Sequence, residues 1–214
     1  MKLVFDIDGT LADFNKYIKN NAIHYFEKNY GMSVKYPNKL EIEDIFDMDN
    51  FFAKKYQCNL EDAKKHTKKV LDKYWIHLRF IKFSLYPFRS GVRKFIKVCR
   101  KKGNIIEIHS SRAKTNEKGI LGFVSRLFTY LQFVFNGISL PISNFHFYKN
   151  DLEKIDGILK SAPNLVFEDK SCICEKTSSH FIKTICIKGW HNTDIKENDY
   201  LRKIENFIEI EDIL

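Results

Sequence analysis

The chain of 214 residues has five cysteines, an odd number with no CxxC spacing. That pattern speaks against a disulfide framework and leaves Cys172-x-Cys174 as weak grounds for zinc. Free thiols in a reducing, cytoplasmic setting are the expectation. Blocks of like charge are missing too. Lysine and arginine number 36 against 27 acids, for a net charge of +9, yet they are scattered. Nucleic-acid binding is therefore not favoured, although a basic surface attracts small anions such as phosphorylated metabolites. No internal repeat or low-complexity tract is present. With 44% hydrophobic residues and 19 Phe, disorder is excluded and a sizeable core is expected. Long apolar runs are scarce. The most apolar stretch, 119 to 135, is interrupted by Arg126, so it reads as a buried or partner-facing helix rather than a membrane span, and it hints at a homodimer interface. The first apolar run reads as a strand, so no signal peptide is expected.

What is present is concentrated at the start. Residues 3 to 13 read Leu-Val-Phe-Asp-Ile-Asp-Gly-Thr-Leu-Ala-Asp. A buried strand ends there in two carboxylates one residue apart. Strand side chains alternate faces, so Asp6 and Asp8 can share a site only if the chain leaves the sheet between them. Gly9 and Thr10 supply that departure. Two acids at such an edge can hold a hard divalent cation through oxygen, or divide the work of nucleophile and proton donor. A solvated Asp-rich turn is the plainer alternative, but the preceding strand is too hydrophobic for a surface loop.

Further along, apolar residues at spacings of three and four predict a helix over 13 to 30, stopped by Gly31. A long Lys-rich amphipathic helix follows over 60 to 82, and no strand is evident between 14 and 86. The sheet pattern resumes at Leu85-Tyr86-Pro87-Phe88. A basic helix (90 to 101), a strand at Ile105 to His109, an apolar helix from about 120 to 136 and a short strand from Phe145 to Tyr148 come next. Asp151 is expected to cap a helix over 152 to 160. Leu165 to Phe167 forms another strand, His180 to Ile187 a final one, and the tail from 200 to 214 is expected to be helical. Alternating strands and helices predict an α/β fold, a Rossmann-like doubly wound parallel sheet. Its core comprises 1 to 13 and 86 to 214, with 14 to 85 inserted after the first strand as a small helical cap.

Three strand ends carry reactive residues: Asp6 and Asp8, Ser110, and Glu168 with Asp169. In doubly wound sheets ligands bind beyond those ends. Lys154, early in the helix preceding Glu168, is able to reach the same crevice, with Lys149 as a competitor. Each has an ordinary alternative: a strand-end hydroxyl, a surface lysine, or a helix cap with a first-turn acid.

The run Asp6-Ile7-Asp8-Gly9-Thr10-Leu11 resembles the first motif of the haloacid dehalogenase-like phosphohydrolases. Ser110 resembles the second motif and Glu168-Asp169 the fourth, and the spacing to that acidic pair favours Lys154 over Lys149. Tyr86 to Gly91, Ser110-Ser111-Arg112 and Gly189-Trp190-His191-Asn192 look like the type C 5'(3')-deoxyribonucleotidase family and its bacterial nucleotidase relatives. The resemblance implies that Asp6 attacks phosphorus to give an aspartyl-phosphate and that Asp8 is the general acid/base. It implies that Ser110, Ser111 and Lys154 bind phosphate. Mg2+ would be held by Asp6, Asp8 (through its carbonyl oxygen), Asp169 and Glu168, with Asp169 favoured as the direct ligand. The implied activity is hydrolysis of (deoxy)nucleoside monophosphates. A polynucleotide 3'-phosphatase and a non-catalytic binding module of the same fold are the alternatives. Phe14 and Phe46 are candidates for base stacking, and Arg112 for a phosphate or ribose contact or a salt bridge to the cap.

Overall fold

The computed structural model describes residues 1–33, 42, 46–81, 87–112 and 114–210, with backbone alone for 14–16, 18, 19, 75, 77–81 and 190. The chain divides into two compact units, Met1–Asp13 with Ser84–Leu214, and Phe14–Phe83.

The first unit is built on six strands: β1 (Lys2–Phe5), β2 (Ile105–Ser110), β3 (Phe145–Phe147), β4 (Leu165–Glu168), β5 (Lys183–Ile187) and β6 (Leu201–Ile204). They form one sheet in the order β3-β2-β1-β4-β5-β6, and every pairing is parallel. The fold is an α/β doubly wound, Rossmann-like sheet, as the alternating pattern predicts. Strand order grows outward from β1 in both directions, so β1 and β4 flank the switch point at which such sheets bind ligands.

Alternation along β1 assigns its residues to two cores. Leu3 and Phe5 join one cluster with Val92, Phe95, Ile96 and Cys99 of a helix at Val92–Lys101 and with Phe133. Val4 joins another with Ile155, Ile158 and Ile173. Helices therefore pack both faces, and the strands are continuous apolar runs because both sides are dry. Phe5 and Phe167, in register on β1 and β4, stack with ring centroids 4.4 Å apart and planes 1° from parallel. Phe95 meets both rings edge-on.

The second unit contains α1 (Phe14–Tyr30), α2 (Met48–Tyr56) and α3 (Leu60–Ile81). Its own core gathers Ala22, Phe26, Met32, Ile42, Phe46, Met48, Phe52, Ala63 and Tyr74. The remaining helices of the first unit are α4 (Val92–Lys101), α5 (Ile120–Phe135), α6 (Asp151–Ser161) and α7 (Ser171–Ser179). Among the described residues, no helix is long and apolar enough to cross a membrane.

Several expectations need correction. The His180 to Ile187 strand is not the last, because residues 201–204 pair with it as edge strand β6 rather than starting a helix. Among the described residues a single 3-10 turn, Phe207–Ile210, follows. Ile204, Phe207 and Ile210 all insert into the main core, and this burial overrides the helical spacing. Residues 87 and 88 are not in a strand, while 82–86 lie outside the described residues. The cap of α6 is Asn150, whose side chain accepts a hydrogen bond from the Glu153 amide, and Asp151 is already helical. In α5 the polar Thr129 and Gln132 are buried while Ile120, Phe123, Val134 and Phe135 are exposed. Hydrophobicity alone would have turned that helix the other way.

Candidate active site

The β1 ladder runs one residue past the strand, since the Asp6 amide donates to the Phe167 carbonyl at 2.9 Å. The chain then folds back on itself. Ala12 N–H donates to the Ile7 carbonyl (2.9 Å) and Gly9 N–H to that of Ala12 (2.8 Å). This tight turn is the departure from the sheet that the two acids require. Gly9 has φ +91°, and a Cβ there would fall 1.9 Å from Asp169 Oδ2. Glycine is thus demanded twice, by backbone conformation and by the carboxylate pressed against it.

Lys154, in the first turn of α6, extends to the end of β1. Its ammonium donates to Asp6 Oδ1 and to Glu168 Oε2, both at 2.5 Å, and all three side chains are essentially buried. The structure thus brings Lys154, not the exposed Lys149, to the acids. Burial pushes the Asp6 carboxyl up to about 7, against the downward pull of Lys154 and with added repulsion from Glu168 and Asp8. The Lys154 ammonium is stabilised by the same two carboxylates, which outweigh its own burial. Glu168 has both oxygens engaged: Oε2 by Lys154, and Oε1 by the amides of Asp169 (3.0 Å) and Lys170 (3.2 Å).

Asp169 is placed differently. Oδ1 accepts a long bond from the Thr10 hydroxyl (3.4 Å), and Oδ2 lies 2.9 Å from His191 Nε2. Its carbonyl accepts from Asn192 Nδ2 at 2.7 Å. The Asp169 hydrogen bond raises the pKa of His191 despite partial burial. Oxygens of Asp6, Glu168 and Asp169 all lie within 4.8 Å of one another. Three carboxylates against one lysine leave an excess of negative charge in a dry site, and the donors are hard oxygens. That set fits a small divalent cation such as magnesium. Glu168 is the most tightly engaged of the three, with its oxygens held by the Lys154 ammonium and two backbone amides, whereas Asp169 Oδ1 has only the long contact from Thr10, so Asp6 and Asp169 are the side chains better placed to ligate.

Asp8 stands apart from this cluster. Arg112 grips it with a fork, Nε donating to Oδ2 at 2.8 Å and Nη2 to Oδ1. The guanidinium is held in turn by Gln132 Oε1 (3.1 Å) and Thr129 Oγ1 (3.2 Å), which is why those two residues face inward on α5. Arg112, 8% exposed, therefore pairs with the second acid of the first motif. Ser110 Oγ accepts from the Arg112 amide at 3.2 Å. Ser111 donates to Asp151 (2.6 Å), which also accepts from Lys170 (2.8 Å). Phe46 sits in the core of the second unit, 4% exposed and beside Phe26, which leaves it no open face for a base. The side chain of Phe14 lies outside the described residues.

Three residues escaped the candidate set. Arg89 donates to the Gly9 carbonyl (2.9 Å), and its own amide donates to Leu11 (2.7 Å), pinning the turn. His191 and Asn192 brace Asp169. The stretches containing them, 86 to 91 and 189 to 192, were noticed as sequence patterns, but nothing in their residue types predicts which acid they touch. Arg89 Nε and His191 Nδ1 are buried without a hydrogen-bond partner among the described residues.

A haloacid dehalogenase-like family hydrolase from Streptococcus pneumoniae superposes on 98% of this chain and 95% of its own, with TM-score 0.62 at 12% identity. The chain has the fold of the haloacid dehalogenase-like hydrolases. A family IA hydrolase of that group from Entamoeba histolytica covers 98% of this chain and 94% of its own (TM-score 0.58, 17% identity). A Bacillus subtilis hydrolase of the group, solved bound to magnesium, covers 100% and 97% (TM-score 0.58, 14% identity). No protein-family model matches the sequence, and no curated protein matches it significantly. Within the fold shared with these hydrolases, the acids of this chain sit at the β1/β4 switch point.

Proposed function

We propose that the protein is a magnesium-dependent phosphomonoesterase acting through an aspartyl-phosphate on Asp6, with nucleoside 5'- or 3'-monophosphates as its first candidate substrates. The observation that carries this reading is the buried Asp6–Lys154–Glu168 triad beside Asp169. A phosphate monoester carries two negative charges and repels a carboxylate nucleophile. Lys154 offsets that repulsion while holding Asp6 by one oxygen, which leaves the other to attack phosphorus. The unpartnered Arg89 Nε beside the Gly9 turn is a further donor for an anion.

Magnesium held by Asp6 and Asp169, with the Asp8 carbonyl, would neutralise phosphate charge as it passes to the leaving oxygen. As the Asp6–phosphorus bond forms, the bond to the ester oxygen breaks, and Asp8 gives that oxygen its proton. Water then attacks phosphorus. Asp8 takes the water's proton, the Asp6–phosphorus bond breaks, and inorganic phosphate leaves. The Arg112 fork positions Asp8, and it has to release one oxygen for Asp8 to carry the proton in each step. Ser110 and Ser111 at the end of β2 are the phosphate-binding hydroxyls in this reading, and the helical unit that follows Asp13 is the part expected to select the leaving group. A nucleotide is preferred because the 86 to 91 and 189 to 192 stretches resemble nucleotidases.

Purified protein should release phosphate from a panel of monoesters in the presence of magnesium and not in EDTA. A panel that stays inert with magnesium present overturns the proposal. Hydrolysis of sugar phosphates but not nucleotides overturns only the substrate class.

A further inference from the structure

On β2 and β3, in a cluster distinct from the carboxylates of the candidate site, Glu107, His109 and His146 each present one ligand atom, and these three atoms lie within 4.8 Å of one another. Glu107 and His109 are two apart on β2 and so share a face, and His146 is the register partner of His109 on β3. The two imidazole rings are 4.6 Å apart. We infer that Glu107, His109 and His146 form a second metal site, selective for a borderline divalent ion such as zinc.

The donor set is the first argument. Two imidazoles and one carboxylate suit zinc and its neighbours rather than magnesium, and three protein ligands leave a position for water. The spacing is the second. His109 Nε2 lies 3.3 Å from Glu107 Oε2, long for a hydrogen bond. Ligands at about 2.1 Å from a tetrahedral zinc are separated by about 3.4 Å, so this pair already stands close to one edge of such a site. Glu107 is steered there, because Lys2 holds its other oxygen at 3.3 Å.

The surroundings are the third. Tyr148 Oη lies 2.9 Å from His109 Nδ1. Without metal, the hydroxyl donates to Nδ1 and Nε2–H donates to Glu107. With metal, the proton moves to Nδ1, which donates to the phenol oxygen and frees Nε2 to ligate. Metal-binding histidines usually have such an outer partner. Finally, α6 carries a glycine in its interior, which weakens a helix. A Cβ at Gly157 would fall 2.2 Å from Tyr148 Oη, so the glycine makes room for the tyrosine that orients His109.

Equilibrium dialysis against buffered zinc with magnesium in excess tests the proposal. The native protein should retain zinc, and His146→Ala should weaken it by roughly 100-fold. Gly157→Ala, which touches no ligand, should weaken it by roughly 10-fold through Tyr148. Cobalt in place of zinc should give the visible absorption of a four-coordinate ion, lost in His146→Ala. Circular dichroism checks that each variant folds; His146 is only half-buried on a short strand, so its variant is the informative one if His109→Ala fails. No zinc retained by native protein overturns the inference. So does equal retention by His146→Ala, or retention lost in Asp169→Asn instead, which would put the ion among the acids of the candidate active site. None of these results depends on phosphatase activity.

Discussion

Asp6 is an expensive residue to bury, and the cost should be measurable. Its carboxyl titrates at 3.8 in an unperturbed chain and at about 7 in the folded protein. Between those values the folded state binds more protons than the unfolded state, so stability falls as pH rises and levels off above about 7. The accumulated loss is about 4 kcal/mol at roughly 1.4 kcal/mol per tenfold in proton affinity. Asparagine has the same shape and no ionisation, and it still accepts from Lys154, which keeps Glu168 as its ionic partner. Asp6→Asn should therefore match the native protein near the lower value and exceed it increasingly towards about pH 8, by up to about 4 kcal/mol. For a chain of this length that is a rise in midpoint of roughly 8 to 16 °C. Urea unfolding in EDTA at a series of pH values reads it directly. Magnesium should then stabilise the native protein and leave the variant nearly unchanged, while the variant releases no phosphate. A stability difference that stays constant with pH would refute the reasoning, because it would mean that the buried carboxylate is not what destabilises the fold.

Three further outcomes are expected. Gly9→Ala should weaken magnesium binding by roughly 10-fold or more, seen by calorimetry, because the new methyl displaces Asp169; unchanged binding would show that the turn adapts. Arg112→Ala should cost about 2 to 4 kcal/mol in urea unfolding, since it removes the fork from Asp8 and a charged donor from Thr129 and Gln132. Arg112→Lys should restore little, because an ammonium cannot fork, and full recovery would contradict that geometry. Asn192→Ala should cost about 2 kcal/mol in the same assay, having lost donors to the carbonyls of Asp169 and Ile187.

The parallel sheet was legible because β1, β2, β4 and β5 are apolar runs separated by helical spacing, and such runs are unambiguous when both faces are covered. The tail was not. Leu201, Ile204, Phe207 and Ile210 repeat every three residues, which suits a helix, yet the open edge of β5 offered backbone partners and the core offered room. Among site residues, Lys154 was found from its distance to Glu168 along the chain, since a helix and strand of fixed rise return it to the same end of the sheet. Arg112 was noticed, but its partner was not. A guanidinium on a loop reaches several acids, and only the inward turn of Thr129 and Gln132 decides for Asp8. Phe46 shows the reverse limit, because an aromatic residue that stacks on a base and one that fills a core have the same sequence pattern.

The parallel rings of Phe5 and Phe167 come one residue before Asp6 and Glu168, so the stack and the acids lie on opposite faces of the same two strands. The stack clamps β1 to β4 from the side that Lys154 does not reach. A smaller side chain at either position would loosen the pair of strands that carries both acids without touching any polar atom. The tolerance of the charged machinery is thus written in hydrocarbon.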